Sequence, residues 1–137
     1  MIKRSEQALQ IQICKYLAVA YPTVLFAHVQ NGGTRGGPQA KRIGGIRKAM
    51  GVKAGMPDIM LWWSTPQGSK SAAIELKWGE GELSAPQKAM HAQLEANGVP
   101  VAVCRSLNEV RLAMQGWGAP SIEYIPTKMP GWGRAKV

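Results

Sequence analysis

Two acidic residues and one lysine stand where their side chains would meet in a β-hairpin. Residues 58–63 and 71–78 are rich in strand-forming residues, and turn formers fill the stretch between them. A hairpin that folds symmetrically about the middle of that stretch places Asp58 nearly opposite Glu75. Lys77 leaves the same face of the strand as Glu75, because side chains alternate along a strand.

Two carboxylates that face each other across a hairpin favour a positive charge between them. Directly opposed residues have Cβ atoms about 5 Å apart, where like charges destabilise a sheet. A divalent cation such as Mg²⁺ would remove that cost, polarise a phosphodiester and activate a bound water. Lys77 would orient that water or stabilise charge on the phosphate. The alternative is an ordinary exposed pair, Glu75 and Lys77, with Asp58 in a turn.

The overall charge favours a polyanionic partner. The 137 residues include 17 Lys+Arg and 8 Asp+Glu, a formal net charge of +9 at pH 7. Six of the basic residues fall within residues 35–53, just before the acidic site: Arg35, Lys41, Arg42, Arg47, Lys48 and Lys53. This concentration predicts a nucleic-acid-binding surface, although solubility alone or an anionic membrane surface would also account for a basic chain.

The rest of the composition excludes several other classes. A chain of this length with 45% hydrophobic residues suits one globular domain, and no apolar run approaches the roughly 18 residues of a membrane span. The start of the chain does not resemble a signal peptide, so a cytoplasmic location, in a bacterial or phage-infected cell by analogy, is expected. Cys14, Cys104, His28 and His91 lack metal-ligand spacing, and none of them is expected in the site.

The apolar periodicity predicts an α/β fold in the order αβ(α)ββαβα. The basic helix is the weakest element, because each of its two central glycines costs about 1 kcal/mol relative to alanine. We expect residues 1–115 to form the domain and residues 116–137 to be an appendage of unknown role. The predicted elements are a helix over 5–20, a strand over 23–29, a loop over 30–38, the basic helix over 39–50, the hairpin, a capped helix over 84–98, a strand over 99–104 and a capped helix over 106–115.

Three motifs around the site resemble those of a nuclease family. Residues 55–58 read Gly-Met-Pro-Asp, residues 74–77 read Ile-Glu-Leu-Lys, and residues 83–87 read Leu-Ser-Ala-Pro-Gln. Their order, followed by a last strand and helix, is similar to the virus-type replication-repair (VRR-NUC) branch of the PD-(D/E)xK nucleases. The resemblance spans about residues 5–115, and it implies a restriction-endonuclease-like mixed β-sheet flanked by helices.

The resemblance also implies a metal-dependent endonuclease and assigns roles to residues. Asp58, Glu75 and the backbone carbonyl of Leu76 would bind Mg²⁺ or Mn²⁺, and Lys77 would be the catalytic lysine. The acidic residue available in the first helix to complete the cluster is Glu6, although an acid near a helix N-terminus needs no such role. Gln87 matches a glutamine that similar nucleases hold beside the site, and a capping box explains it equally well.

Small free-standing members of this kind resemble junction-resolving enzymes. That likeness implies branched DNA, such as four-way (Holliday) junctions, and a homodimer, with neither a membrane nor a small-molecule cofactor. Trp62 and Trp63 could stack on unpaired bases, but neighbours on a strand face opposite ways, so at least one is expected in the core. Two alternatives stay open: a non-catalytic nucleic-acid-binding module, and a nuclease acting on flaps, linear duplex or RNA.

Overall fold

Helices and strands alternate along the chain in the predicted order. The structure is a computed structural model that describes residues 6–29 and 38–122, with the backbone alone for residues 38–40. The helices are α1 (Glu6–Ala20), α2 (Pro38–Ala49), α3 (Ala85–Ala96) and α4 (Leu107–Trp117), and the strands are β1 (Leu25–His28), β2 (Ile59–Thr65), β3 (Gly68–Leu76) and β4 (Val101–Cys104). This order confirms the predicted α/β class.

The strands form one mixed sheet in the order β1-β2-β3-β4. The first two pairings are antiparallel, and β3 pairs with β4 in parallel. In the hairpin, Ile59 lies opposite Ile74 and Thr65 lies opposite Gly68. The turn is therefore only two residues long, shorter than the predicted loop, but it has the predicted centre. One step further along this register, Asp58 comes opposite Glu75, as expected.

One face of the sheet packs against α1 and α4. The buried positions of α1 recur at steps of four, four and three residues, which is the period of one helix face. The core formed with the sheet includes Leu9, Ile13, Leu17, Ile59, Leu61, Ile74, Leu76, Val110 and Met114, each at most 5% exposed. A buried hydrophobic layer thus supports the strands that carry the predicted site.

Side-chain alternation places the neighbouring tryptophans on opposite faces, as predicted. Trp63 is buried in the core, whereas Trp62 is 39% exposed on the other face. Strict alternation would place Trp78 on the apolar face of Ile74 and Leu76, but Trp78 is 50% exposed. The reason is that β3 ends at Leu76, so the alternation does not continue to residue 78.

The last helix ends two residues later than its predicted end at residue 115. Helix α4 continues to Trp117 and ends at Gly118, which adopts the left-handed conformation of a helix C-cap. Beyond it, the Ile122 N–H donates to the Ala20 carbonyl at 2.9 Å, so the chain returns to α1. Within the described residues, no helix is long and apolar enough to cross a membrane. The predicted loop over 30–37 and residues 123–137 lie outside the described part.

Gly55 has no space for a side chain, whereas Gly44 does. Gly55 has φ +82°, and a Cβ added to it would lie 2.2 Å from the carbonyl oxygen of Pro86 in α3. Only glycine therefore lets the loop before Asp58 approach the start of α3. A Cβ at Gly44, inside α2, meets nothing within 4 Å among the described residues.

These glycines give a paired stability prediction. Gly55→Ala should lower the free energy of unfolding by at least about 2 kcal/mol, because it adds backbone strain and a clash with α3. Gly44→Ala should raise it by about 0.5–1 kcal/mol, because alanine loses less backbone entropy in a helix. Urea denaturation of both variants checks this, and equal effects of one sign would contradict it.

Candidate active site

Asp58 is fixed at the open end of the hairpin. It directly precedes β2, and its Oδ2 accepts a hydrogen bond from the Leu76 N–H at 2.7 Å. Its carbonyl oxygen accepts from the Val29 N–H at 2.9 Å and lies 2.9 Å from Nδ1 of His28. The strands on either side of β2 thus hold Asp58, and its carboxylate is drawn across to the end of β3, beside Glu75.

Glu75 is a buried carboxylate held by α3. Its side chain is 2% exposed, which contradicts the alternative of an ordinary exposed pair with Lys77. The Nε2 of Gln87 donates to Oε2 at 3.1 Å, and the Nε2 of His91 lies 2.9 Å from Oε1. Gln87 and His91 are four residues apart and therefore share one face of the helix. Both carboxylate oxygens have a partner from α3.

Gln87 forms the capping box of α3 and also contacts Glu75. Its side-chain Oε1 accepts from the Ser84 N–H at 2.8 Å, while its own N–H donates to the Ser84 hydroxyl at 3.2 Å. This reciprocal pair is the predicted capping box. Because Oε1 serves the cap, the amide nitrogen points to Glu75, and the capping box orients the contact with the site.

Lys77 only partly compensates the charges of the acidic pair. Burial, a hydrogen bond with Asp58 and the charges of Asp58 and Glu6 raise the pKa of Glu75 from its usual 4.5 to about 8, against the lowering effect of Lys77. Glu6 thus lies near enough for its charge to act on Glu75. Without a cation, a proton on Glu75 relieves the repulsion from Asp58.

Lys77 stands just beyond β3, where neighbouring backbone groups hold its segment. The Lys77 N–H donates to the Cys104 carbonyl at 3.1 Å and extends the pairing with β4. The following loop is tied down by Arg105, whose Nη1 donates to the carbonyls of Gly79 and Gly81 at 2.8 Å each. The ammonium group that opposes the charges of the acidic pair therefore extends from an anchored backbone.

The donor chemistry fits a hard divalent cation. Within the described residues, no three His, Cys, Asp or Glu side chains form a group that could hold a metal ion by themselves. Mg²⁺ commonly needs only one or two protein carboxylates, with water and substrate phosphate completing its shell. Asp58 and Glu75 supply that pair, and a cation beside them would favour the ionised form that burial disfavours. Glu6 and the Leu76 carbonyl stay predicted ligands.

A groove of about 460 Å³ leads from the basic segment to Gln87. It is lined by Gly44, Arg47, Lys48, Val52, Lys53, Ala54, Gly55, Ser84, Pro86 and Gln87. Three of the predicted DNA-binding residues therefore line the same groove as a residue that contacts Glu75. Lys41 and Arg42 lie exposed further up α2, and Arg35 lies outside the described residues.

His91 is the residue that sequence reasoning missed. The sequence predicts no place for His91 in the site, because it lacks metal-ligand spacing. In the structure it contacts Glu75 and is 12% exposed. Burial lowers its pKa, so the neutral imidazole predominates at pH 7. The available signal was its position four residues after Gln87 on one helix. Burial and the charge of Glu109 raise the pKa of Cys104 to about 12, which disfavours the reactive thiolate.

The fold and the site together define an α/β domain with a PD…ExK motif at the open end of its central hairpin. The model of the VRR-NUC domain family matches residues 4–108 of this chain. A solved structure named VRR-NUC domain protein is similar in fold, with a TM-score of 0.59 and 19% identity over 85% of this chain and 90% of that one. A comparison with curated proteins finds no match. Because the family model covers most of the chain, the protein belongs to the VRR-NUC family of the PD-(D/E)xK nuclease superfamily.

The raised pKa of Glu75 predicts how metal-free stability depends on pH. Between pH 4.5 and about 8, the folded protein keeps a proton on Glu75 that the unfolded chain has released. The contribution of Glu75 to the free energy of unfolding therefore falls as the pH rises through this window. Glu75→Gln removes this titration. The Tm of the variant in EDTA should therefore rise relative to the wild-type Tm between pH 5 and pH 8. A constant Tm difference would contradict this.

Proposed function

We propose that the protein is a metal-dependent endonuclease that hydrolyses DNA phosphodiester bonds, with a preference for branched DNA such as four-way junctions. The observation that carries the proposal is the contact of two carboxylates, Asp58 and buried Glu75, at one hairpin end with Lys77 beside them. A polar cluster of this kind is costly to bury and serves no purpose in packing. Membership of a nuclease family agrees with it.

The residues of the chain divide the work of hydrolysis among them. Asp58 and Glu75, with the Leu76 carbonyl, would hold Mg²⁺ or Mn²⁺, which supplies Lewis-acid stabilisation and a more acidic bound water. Lys77 stabilises charge on the phosphate or orients the attacking water, as its position beside the pair allows. Gln87 keeps Glu75 in place through the hydrogen bond to Oε2.

The groove beside Gln87 supports binding to the DNA backbone. Arg47, Lys48 and Lys53 line it, and cationic side chains in a groove bind phosphates with little dependence on sequence. The groove leads towards Glu75 through Gln87, so a strand bound there would pass the acidic pair. This arrangement favours recognition of backbone shape, which suits a structure-selective nuclease.

The preference for branched DNA and the homodimer rest on the resemblance to junction-resolving enzymes. The described chain offers one acidic site, and cutting two symmetric strands of a junction needs two. Two copies related by a twofold axis would provide them. Flaps, linear duplex and RNA are the competing substrates, and a cytoplasmic setting would make each of them accessible.

The first activity prediction concerns metal-dependent cutting. Labelled four-way junction, flap, linear duplex and RNA are incubated with Mg²⁺, with Mn²⁺ and with EDTA. We expect cleavage of the junction with either metal and none in EDTA. Asp58→Ala and Glu75→Ala should abolish cleavage while binding is kept, and Lys77→Met should slow it by roughly 10²–10³-fold because a charge-stabilising group is removed.

Lys70→Ala is the matched control for these variants, because Lys70 lies at the far end of the hairpin from the acidic pair. It should cut like the wild type. DNA binding without cutting in every metal would instead favour the non-catalytic binding module, and equal cutting of all DNA forms would reject the preference for junctions.

The groove predicts salt-dependent binding. Lys48→Ala and Lys53→Ala should each weaken DNA affinity, and each should reduce the slope of log K against log salt by about 0.9 for every duplex phosphate that the variant no longer neutralises. Lys70→Ala should leave the slope unchanged. Fluorescence anisotropy over a salt series, in EDTA to prevent cleavage, measures this. Slopes that do not differ among the three variants would contradict a phosphate-binding groove.

A further inference from the structure

Helix α3 holds Glu75 at two points rather than one. Gln87 occupies Oε2 and His91 occupies Oε1, at 3.1 and 2.9 Å. The capping box at Ser84 fixes the first turn of the helix. It thereby fixes where Gln87 and His91 lie along β3. The contact of His91 is therefore part of a built arrangement and not a chance approach of a surface side chain.

Two hydrogen bonds fix the orientation of a carboxylate, which a single hydrogen bond does not. The last side-chain torsion of a glutamate is broad, so a carboxylate with a single hydrogen bond still turns about that bond. A second donor on the other oxygen fixes the plane of the carboxylate. When Glu75 is ionised, Nε2 of His91 carries the hydrogen and donates it, because a carboxylate only accepts.

We propose that His91 is a positioning residue that fixes the plane of the Glu75 carboxylate for binding a divalent cation. This inference rests on the proposed function, because it assumes that Glu75 is a metal ligand. Groups that orient a ligating carboxylate or imidazole commonly set metal affinity without touching the metal. His91 would act in that way, from the side of Glu75 that α3 covers.

The side-chain lengths of asparagine and glutamine give a sharp test. The amide nitrogen of glutamine reaches about as far from the backbone as Nε2 of histidine, whereas that of asparagine reaches only as far as Nδ1. His91→Gln should therefore keep a donor at Oε1, and His91→Asn should remove it. We expect Mn²⁺ binding to weaken by about 10–100-fold in His91→Asn, and to be largely restored in His91→Gln.

Calorimetric titration of Mn²⁺ into the protein without DNA measures the affinity, and the metal-free Tm of each variant reports its folding. Gln93→Asn, at an exposed position of α3, is the matched control for asparagine in this helix and should bind Mn²⁺ like the wild type. Wild-type affinity in His91→Asn, or equally weakened binding in His91→Asn and His91→Gln, would overturn the role of His91.

The outcome for the wild type separates the two proposals. A wild-type protein that binds Mn²⁺ and cuts DNA, with a His91→Asn variant that binds Mn²⁺ equally well, would reject the positioning role alone. A wild-type protein that neither binds Mn²⁺ nor cuts would reject the proposed function, and the inference about His91 with it.

Discussion

The repulsion between two carboxylates is the constraint on which this structure depends. The register of the β2–β3 hairpin brings Asp58 and Glu75 together, and the hydrogen bond from the Leu76 N–H to Asp58 holds them there. Burial then makes ionisation of Glu75 costly. A fold under selection for stability alone would place apolar side chains at this point. The hydrophobic layer of α1 and α4 on the opposite face of the sheet supplies the stability that the acidic pair does not.

Helix α3 links that acidic pair to the surface that would bind the substrate. Through one capped first turn it sets the position of Gln87, which contacts Glu75 on one side and lines the basic groove on the other. Gly55 brings the loop before Asp58 against the same turn, where no other residue would fit. The site and the groove are therefore one connected unit, so a change in the groove wall is expected to affect the geometry of Glu75.

The parts of this arrangement that depend on local signals could be predicted from the sequence, and the parts that depend on tertiary contacts could not. The opposition of Asp58 and Glu75 follows from a short turn, since few registers satisfy both the turn and the alternation of side chains. The capping box at Ser84 is likewise a local signal. The contact of His91 with Glu75 could not be predicted, because tertiary contacts decide which face of α3 packs on the sheet. Spacing along the chain does not specify that face. Side-chain alternation does not predict the exposure of Trp78, because the point where β3 ends also depends on tertiary contacts.

The most direct test of the central claim is a crystal of the protein soaked in Mn²⁺, with anomalous diffraction used to locate the metal. The account predicts one strong peak in contact with the carboxylates of both Asp58 and Glu75, and none at that position in a Glu75→Gln crystal. Manganese bound only elsewhere would contradict the claim that these two residues exist to hold a cation.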